Sequence, residues 1–235
     1  MSVCDLCFCD RQPAEIYLQK GTIMPPRFKF TKEEIVQAAL DITRESGLSA
    51  LTARALAARL GCSVKPVFGA FKNMEEVQKE VMVAATRMYE DYLKTDMAKG
   101  QYPLYKASGM AYIRFAKEEP HLFKLLFMRD RSGEKIEENR EEIRPLIDLI
   151  KANLGISEDD AYLFHLEMWI YVHGIATMAA TSYLDWGDEF VSSVLTDAYT
   201  GLKYRFSEPE EKSSATVAGP AEDPADGSAA AGDNI

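Results

Sequence analysis

Between Met24 and Met74 the chain carries eight basic side chains (Arg27, Lys29, Lys32, Arg44, Arg54, Arg59, Lys65 and Lys72) against four acidic ones, a local charge of +4 in a protein of net charge −10. Clustered cations of this kind attract polyanions, and the attraction is felt over about one Debye length, ~8–10 Å at ordinary salt. The negative charge lies elsewhere: residues 1–23 sum to −1, residues 75–206 to −7, and the stretch from Ser207 onward to −6. A basic head on an acidic body suits contact with duplex nucleic acid.

The remaining reactive side chains assemble no second chemistry. Cys4, Cys7 and Cys9 have a spacing that invites zinc, but a closed structural site needs four ligands and no histidine lies near. With Cys62 they are too unevenly placed for a disulfide framework, which fits a reducing cytoplasm. Cys62 precedes a helix start, where a thiol can serve as a redox switch or simply pack as a small apolar group. His165 and His173 lie eight apart with no third ligand at a matching spacing, so metal sensing is not expected. No nucleophile–base pair or phosphate loop is evident, so neither catalysis nor a cofactor is implied. Trp169 and His173 share a helix face and read either as a packed pair or as part of a ligand pocket.

Helical periodicity must position these groups. Ile35, Ala38, Ala39 and Ile42 recur at helical spacing behind Thr31 and Glu34, a capping-box pair, and Gly47 supplies the stop. Shorter helices are predicted over Thr52–Leu60 and Val64–Phe71. A longer one follows Asn73, with Val77, Val81, Ala84, Met88 and Tyr92 on one face. Further helices are expected over about residues 103–118, 121–128, 138–153, 158–184 and 187–205, with breaks at Pro120, Arg131-Ser132-Gly133 and Gly155. No alternating strand pattern appears, so the fold class is all-α. The richest apolar run, Met168 to Leu184, is interrupted by His173, Gly174, Thr177, Thr181 and Ser182, and reads as a buried helix rather than a membrane span.

Domain organisation follows. Residues 1–23 form an extension without periodicity or a secretory signal; Met24 offers an alternative start. Residues 24–77 form the head, its last helix continuing to about 94. Residues 95–206 form the body, and 207–235 an acidic tail of disorder-prone composition.

The segment Leu51 to Phe71 has the form of a helix-turn-helix. Leu56 and Leu60, then Val67 and Phe71, face the core at i, i+4. Gly61 can end the first helix in a left-handed conformation, Ser63 can cap the second, and Pro66 is tolerable in its first turn. A plain helical hairpin within a core is the alternative for this segment alone.

From Thr31 to Val77 the chain resembles the TetR family of bacterial regulators. The resemblance rests on Ser46-Gly47, Leu51-Thr52, Ala57, Gly61-x-Ser63, Val67-Phe68, Phe71 and Glu75-Glu76-Val77 in unbroken register. Tyr112-Ile-Arg-Phe-Ala-Lys-Glu-Glu-Pro-His-Leu-Phe-Lys-Leu-Leu-Phe127 is similar to a body segment in which a helix breaks at proline before a Leu-Phe pair. Trp169-Ile-Tyr-Val-His173-Gly174 matches the Trp-x-x-x-His-Gly signature of one C-terminal subclass. The pattern is broken at Phe68, where the family usually has a phosphate-contacting tyrosine, and at Met74, commonly a lysine.

The resemblance implies a three-helix head and a larger helical body whose last two long helices pair with their copies in a homodimer. Gly174, Ala176, Ala179 and Ala180 would allow close approach there, beside an amphipathic final helix carrying Phe190, Val194, Leu195, Ala198 and Leu202. The implied partner is a roughly palindromic double-stranded DNA operator, with recognition helices about one DNA turn apart. The implied role is a cytoplasmic repressor released by a small-molecule effector. Candidate DNA-binding residues are Thr52, Arg54, Ser63, Val64, Lys65, Phe68, Gly69 and Lys72. Candidate effector-pocket residues are Met110, Phe115, Phe123, Phe127, Trp169 and His173, a wall suited to a largely apolar ligand with one or two polar groups. The alternative is a helical ligand- or protein-binding module on the same fold with DNA binding lost.

Overall fold

Thr31 opens the first helix as the capping box predicts: its hydroxyl accepts from the Glu34 N–H at 3.1 Å, while the Glu34 carboxylate accepts from the Thr31 N–H at 2.8 Å. The structure is a computed structural model that describes residues 30–132 and 140–207. The expectations placed on the N-terminal extension, its three cysteines, Arg27, Lys29 and the acidic tail lie outside the described residues.

Helices are α1 (Lys32–Ser46), α2 (Ala53–Arg59), α3 (Lys65–Ala70), α4 (Met74–Ala98), α5 (Leu104–Glu118), α6 (Pro120–Phe127), α7 (Arg140–Leu154), α8 (Glu158–Ala180) and α9 (Asp188–Ser207). A 3-10 turn over Leu48–Ala50 joins α1 to α2 and is the one described element the periodicity does not reveal. No strand occurs among the described residues. None of their helices is long and apolar enough to cross a membrane.

Contacts divide the chain into two units, one ending at Ala84 and the other beginning at Ala85, both boundaries falling within α4. In the first unit, Ile35, Ala39 and Ile42 of α1, Leu56 and Ala57 of α2, Val67 of α3, Phe71, and Val77 and Val81 of α4 are all buried. In the second unit α8 packs against α5, α6, α7 and α9, while α5 also packs on α6, α7 and α9. Phe115, Phe123 and Phe164 are fully buried in its core. Burial of a phenylalanine contributes about 1.5–3 kcal/mol, so these three rings are major contributors to the body's cohesion.

Two details differ from the sequence expectation. The eighth helix ends at Ala180 rather than near 184. There the Thr181 hydroxyl donates to the Thr177 carbonyl at 2.7 Å, Ser182 turns left-handed at φ 55°, and the Tyr183 N–H closes on the Met178 carbonyl at 2.9 Å. The chain reverses as in a Schellman end, without the usual glycine. Ala176 and Ala180 are buried within the second unit, whereas a Cβ added at Gly174 would meet nothing within 4 Å. Ala176 and Ala180 therefore serve the internal packing of α8, while Ala179 is half-buried and Gly174 has open space beside it.

Candidate nucleic-acid interface and ligand cavity

The helix-turn-helix is built by three local devices. Thr52 caps α2 by accepting from the Ala55 N–H at 3.1 Å, which leaves its own O–H available to donate. Gly61, at φ 62°, lets the Cys62 N–H return to the Ala57 carbonyl at 2.9 Å. Its Cβ would meet nothing, so the backbone angle is what requires glycine there. Asn73, which the sequence reading did not single out, accepts from the Glu76 N–H at 2.9 Å at the start of α4. The Glu76 carboxylate in turn accepts from the Lys72 N–H at 2.8 Å, fixing the chain between α3 and α4.

One local expectation is corrected. Ser63 does not cap α3: the N-cap is Val64, without a side-chain bond, because the chain enters the helix one residue later than the serine would require. The Ser63 hydroxyl is therefore not used by the helix. Pro66 sits in the first turn as expected.

All eight residues proposed to touch DNA are exposed, while Leu56, Ala57, Val67 and Phe71 between them are buried. Val64 and Phe68 put apolar surface on α3 at 37% and 46% exposure. Five basic residues of the first unit divide in two. Lys32 pairs with Glu80 at 2.6 Å, and Arg59 forms a two-point pair with Glu45. Arg54, Lys65 and Lys72 have no ion-pair partner among the described residues, so their charge is uncommitted.

The second unit contains a cavity of about 650 Å³ between α4, α5, α7, α8 and α9. Tyr89, Leu93, Met97, Leu146, Met168, Trp169, Val172 and Leu195 give it an apolar wall; Lys106, Ser108, Asn153, His165 and Thr196 add polar groups. Of the six proposed pocket residues, Trp169 lines this cavity and the other five do not. Phe115 and Phe123 are fully buried, and Phe127 packs with them around Tyr89 and Tyr112 at centroid separations of 4.9–5.8 Å. These rings fill one another's space instead of facing the void. Met110 lines a separate 120 Å³ pocket with Asp96 and Arg114. His173 stacks on Trp169 at 4.9 Å and bonds through Nδ1 to the Tyr112 hydroxyl at 2.8 Å. It thus lies directly behind two cavity residues.

A second pair repeats this arrangement, with the Tyr105 hydroxyl 3.1 Å from His165 Nδ1. Burial pushes the Tyr105 and Tyr112 hydroxyls up and the two imidazoles down from their ordinary pKa values, so both pairs are neutral near pH 7. In each pair either group can donate, the tyrosine O–H to a bare Nδ1 or an Nδ1–H to the tyrosine oxygen. Further along, Arg114 grips Asp96 through two bonds of 2.8 and 2.9 Å and lies over the Tyr92 ring at 4.3 Å, fastening the C-terminal part of α4 to α5.

Comparison with known proteins agrees with this architecture. Residues 105–198 match the family model described as "Tetracyclin repressor-like, C-terminal domain". An uncharacterised HTH-type transcriptional regulator of Mycobacterium tuberculosis is 23% identical over 176 residues, covering 72% of this chain and 78% of the relative. The fold is similar to that of a TetR-like transcriptional regulator from a Rhodococcus species, with a TM-score of 0.52 and 14% identity over 74% of this chain and 93% of the other. With its helix-turn-helix head and a body matched by that model, the chain is a DNA-binding transcriptional regulator of TetR-like architecture.

Proposed function

We propose that the protein is a homodimeric, cytoplasmic repressor that holds a roughly palindromic operator and is released when a small molecule occupies the body cavity. The observation that carries this reading is the coexistence of an apolar cavity of about 650 Å³ in one unit and uncommitted cations on the helix-turn-helix of the other. A cavity of that volume falls within the range of drug-sized ligand sites, about 300–1,000 Å³. Arg54 and Lys72 are the phosphate contacts in this reading; Lys65, on α3, reaches a base edge. Such a ligand acts only if it binds the DNA-incompetent state more tightly. The role is binding rather than catalysis. The Trp169–His173 stack ahead of Gly174 supports assignment to the Trp-His-Gly subclass.

Homodimerisation is supported by two exposed apolar stripes. On α8, Leu163 and Ile170 are 41% and 65% exposed in line with Gly174. On α9, Phe190 and Tyr204 are 51% and 68% exposed, in line with Val194 and Gly201, and a Cβ at Gly201 would meet nothing. Open glycines flanked by exposed apolar side chains allow close approach of a second pair of helices.

The test is binding of the full chain to the duplex flanking its own gene, titrated over several salt concentrations. Sequence-selective binding is expected, with Arg54→Ala and Lys72→Ala each lowering the log–log salt slope by about 1.8, about 0.9 for each of the two heads of the dimer. Equal affinity for random duplex at low salt would overturn the reading and leave a ligand- or protein-binding module.

A further inference from the structure

Resting on the reading of the body cavity as the effector site, we propose that the effector is an aromatic monocarboxylic acid whose carboxylate is held by Lys106 beside Thr196. Among the described residues, Lys106 is the one charged residue lining the cavity, and no acid lines it. His165, the other ionisable nitrogen on the wall, is kept neutral by burial. Lys106 has no carboxylate partner among the described residues. Its ammonium donates to the Thr196 hydroxyl at 2.7 Å, and that hydroxyl donates onward to the Ser192 carbonyl at 2.9 Å. Thr196 therefore acts as an acceptor that orients the ammonium, which also lies over the Tyr102 ring at 5.1 Å, and two of its three N–H groups remain without a hydrogen-bond acceptor.

Position strengthens the assignment. Lys106 is half-buried and Thr196 is exposed, as is Pro103, so the ammonium stands at one of the edges where the cavity meets solvent, Pro145, Asn153 and Trp169 being exposed elsewhere on the wall. Met168, Val172, His165 and Leu195 are buried deeper in the wall. A ligand entering with its apolar part inward leaves its polar head at Lys106, where a charge keeps part of its hydration. Rings from Tyr89, Tyr105, Tyr112, Trp169 and Tyr199 surround the void and suit a flat body through edge and offset-stacked contacts. One cation matches one negative charge, which favours a carboxylate over a dianionic phosphate.

Titration calorimetry of the full chain with para-phenylbenzoate, para-phenylbenzamide and para-phenylbenzylamine separates head from body, with quenching of Trp169 in a Trp186→Phe background reporting the location. The acid is expected to bind about tenfold more tightly than the amide, with the amine weakest. Lys106→Met should abolish the acid's advantage while leaving the amide's affinity unchanged, which also reports an intact cavity. Equal binding of acid and amide to the unaltered protein would overturn the anionic effector and leave the cavity reading standing. An acid preference surviving Lys106→Met would overturn the assignment to that lysine. Failure of all three probes to bind or to quench Trp169 at millimolar concentration would remove the cavity reading, and this proposal with it.

Discussion

Phe68 leaves 46% of its surface in water on α3, at a position where the family pattern usually has tyrosine. An exposed ring without a hydroxyl gives a phosphate nothing to accept from, whereas the uncommitted Arg54, Lys65 and Lys72 supply charge nearby. Phe68→Tyr is therefore expected to tighten duplex binding about fivefold, the yield of one partly solvated hydrogen bond to a charged oxygen. Because the new group is neutral, the salt slope should not change, in contrast to loss of Lys72 or Arg54. Fluorescence anisotropy on one duplex at several salt concentrations reads both quantities. No gain in affinity, or a steeper slope, would show that Phe68 does not face phosphate. The candidate DNA-contact residues were accessible from sequence because the turn fixes them: once Gly61 ends α2 and Val67 and Phe71 face inward, the residues between must face outward. The Ser63 cap was not, since a shift of one residue in helix entry leaves the sequence pattern unchanged.

At the scale of elements, α5 and α8 are cross-linked by two tyrosine–histidine bonds, Tyr105 to His165 and Tyr112 to His173. Each imidazole has a folded pKa below its ordinary value because burial penalises its charged form. Well above pH 6.5, from about pH 7.5 upward, the histidine is neutral in both folded and unfolded chains, so it gives stability no pH dependence there. As pH falls below that value the unfolded chain takes up protons that the folded chain refuses, and stability declines until the depressed folded pKa is reached. The melting temperature should thus fall between about pH 7 and pH 5. His165→Gln, which keeps a polar partner for Tyr105, should flatten that fall, with each unit of pKa depression corresponding to about 1.4 kcal/mol. An equally steep fall in the variant would place the effect in other groups. Periodicity revealed both helices and both histidines but neither tyrosine partner, because cross-helix register is set by packing. The same limit explains Phe115, Phe123 and Phe127: their pattern says that they face inward, not whether they meet a void or one another.

The whole molecule can act on a palindrome only as a pair, and the proposed pairing face makes a sharp prediction about it. Ile170 is 65% exposed, so it adds little to the protomer's own core, yet it lies on the α8 stripe with Leu163 and Gly174. In the proposed dimer that stripe and the α9 stripe through Phe190, Val194, Gly201 and Tyr204 bury one another. Ile170→Asp would then bring an unpaired carboxylate into an apolar interface, at a cost of about 3 kcal/mol or more per dimer. Sedimentation should show a dimer for the unaltered chain and a population moved toward monomer for the variant, with helical circular dichroism unchanged. Operator binding should weaken in parallel and lose its preference for a two-half-site duplex over a single half-site, because one head alone holds half the phosphate contacts. A variant that still sediments as a dimer would move the interface off this face. An unaltered chain that sediments as a monomer at micromolar concentration would refute dimerisation itself, and with it the expectation of a palindromic operator.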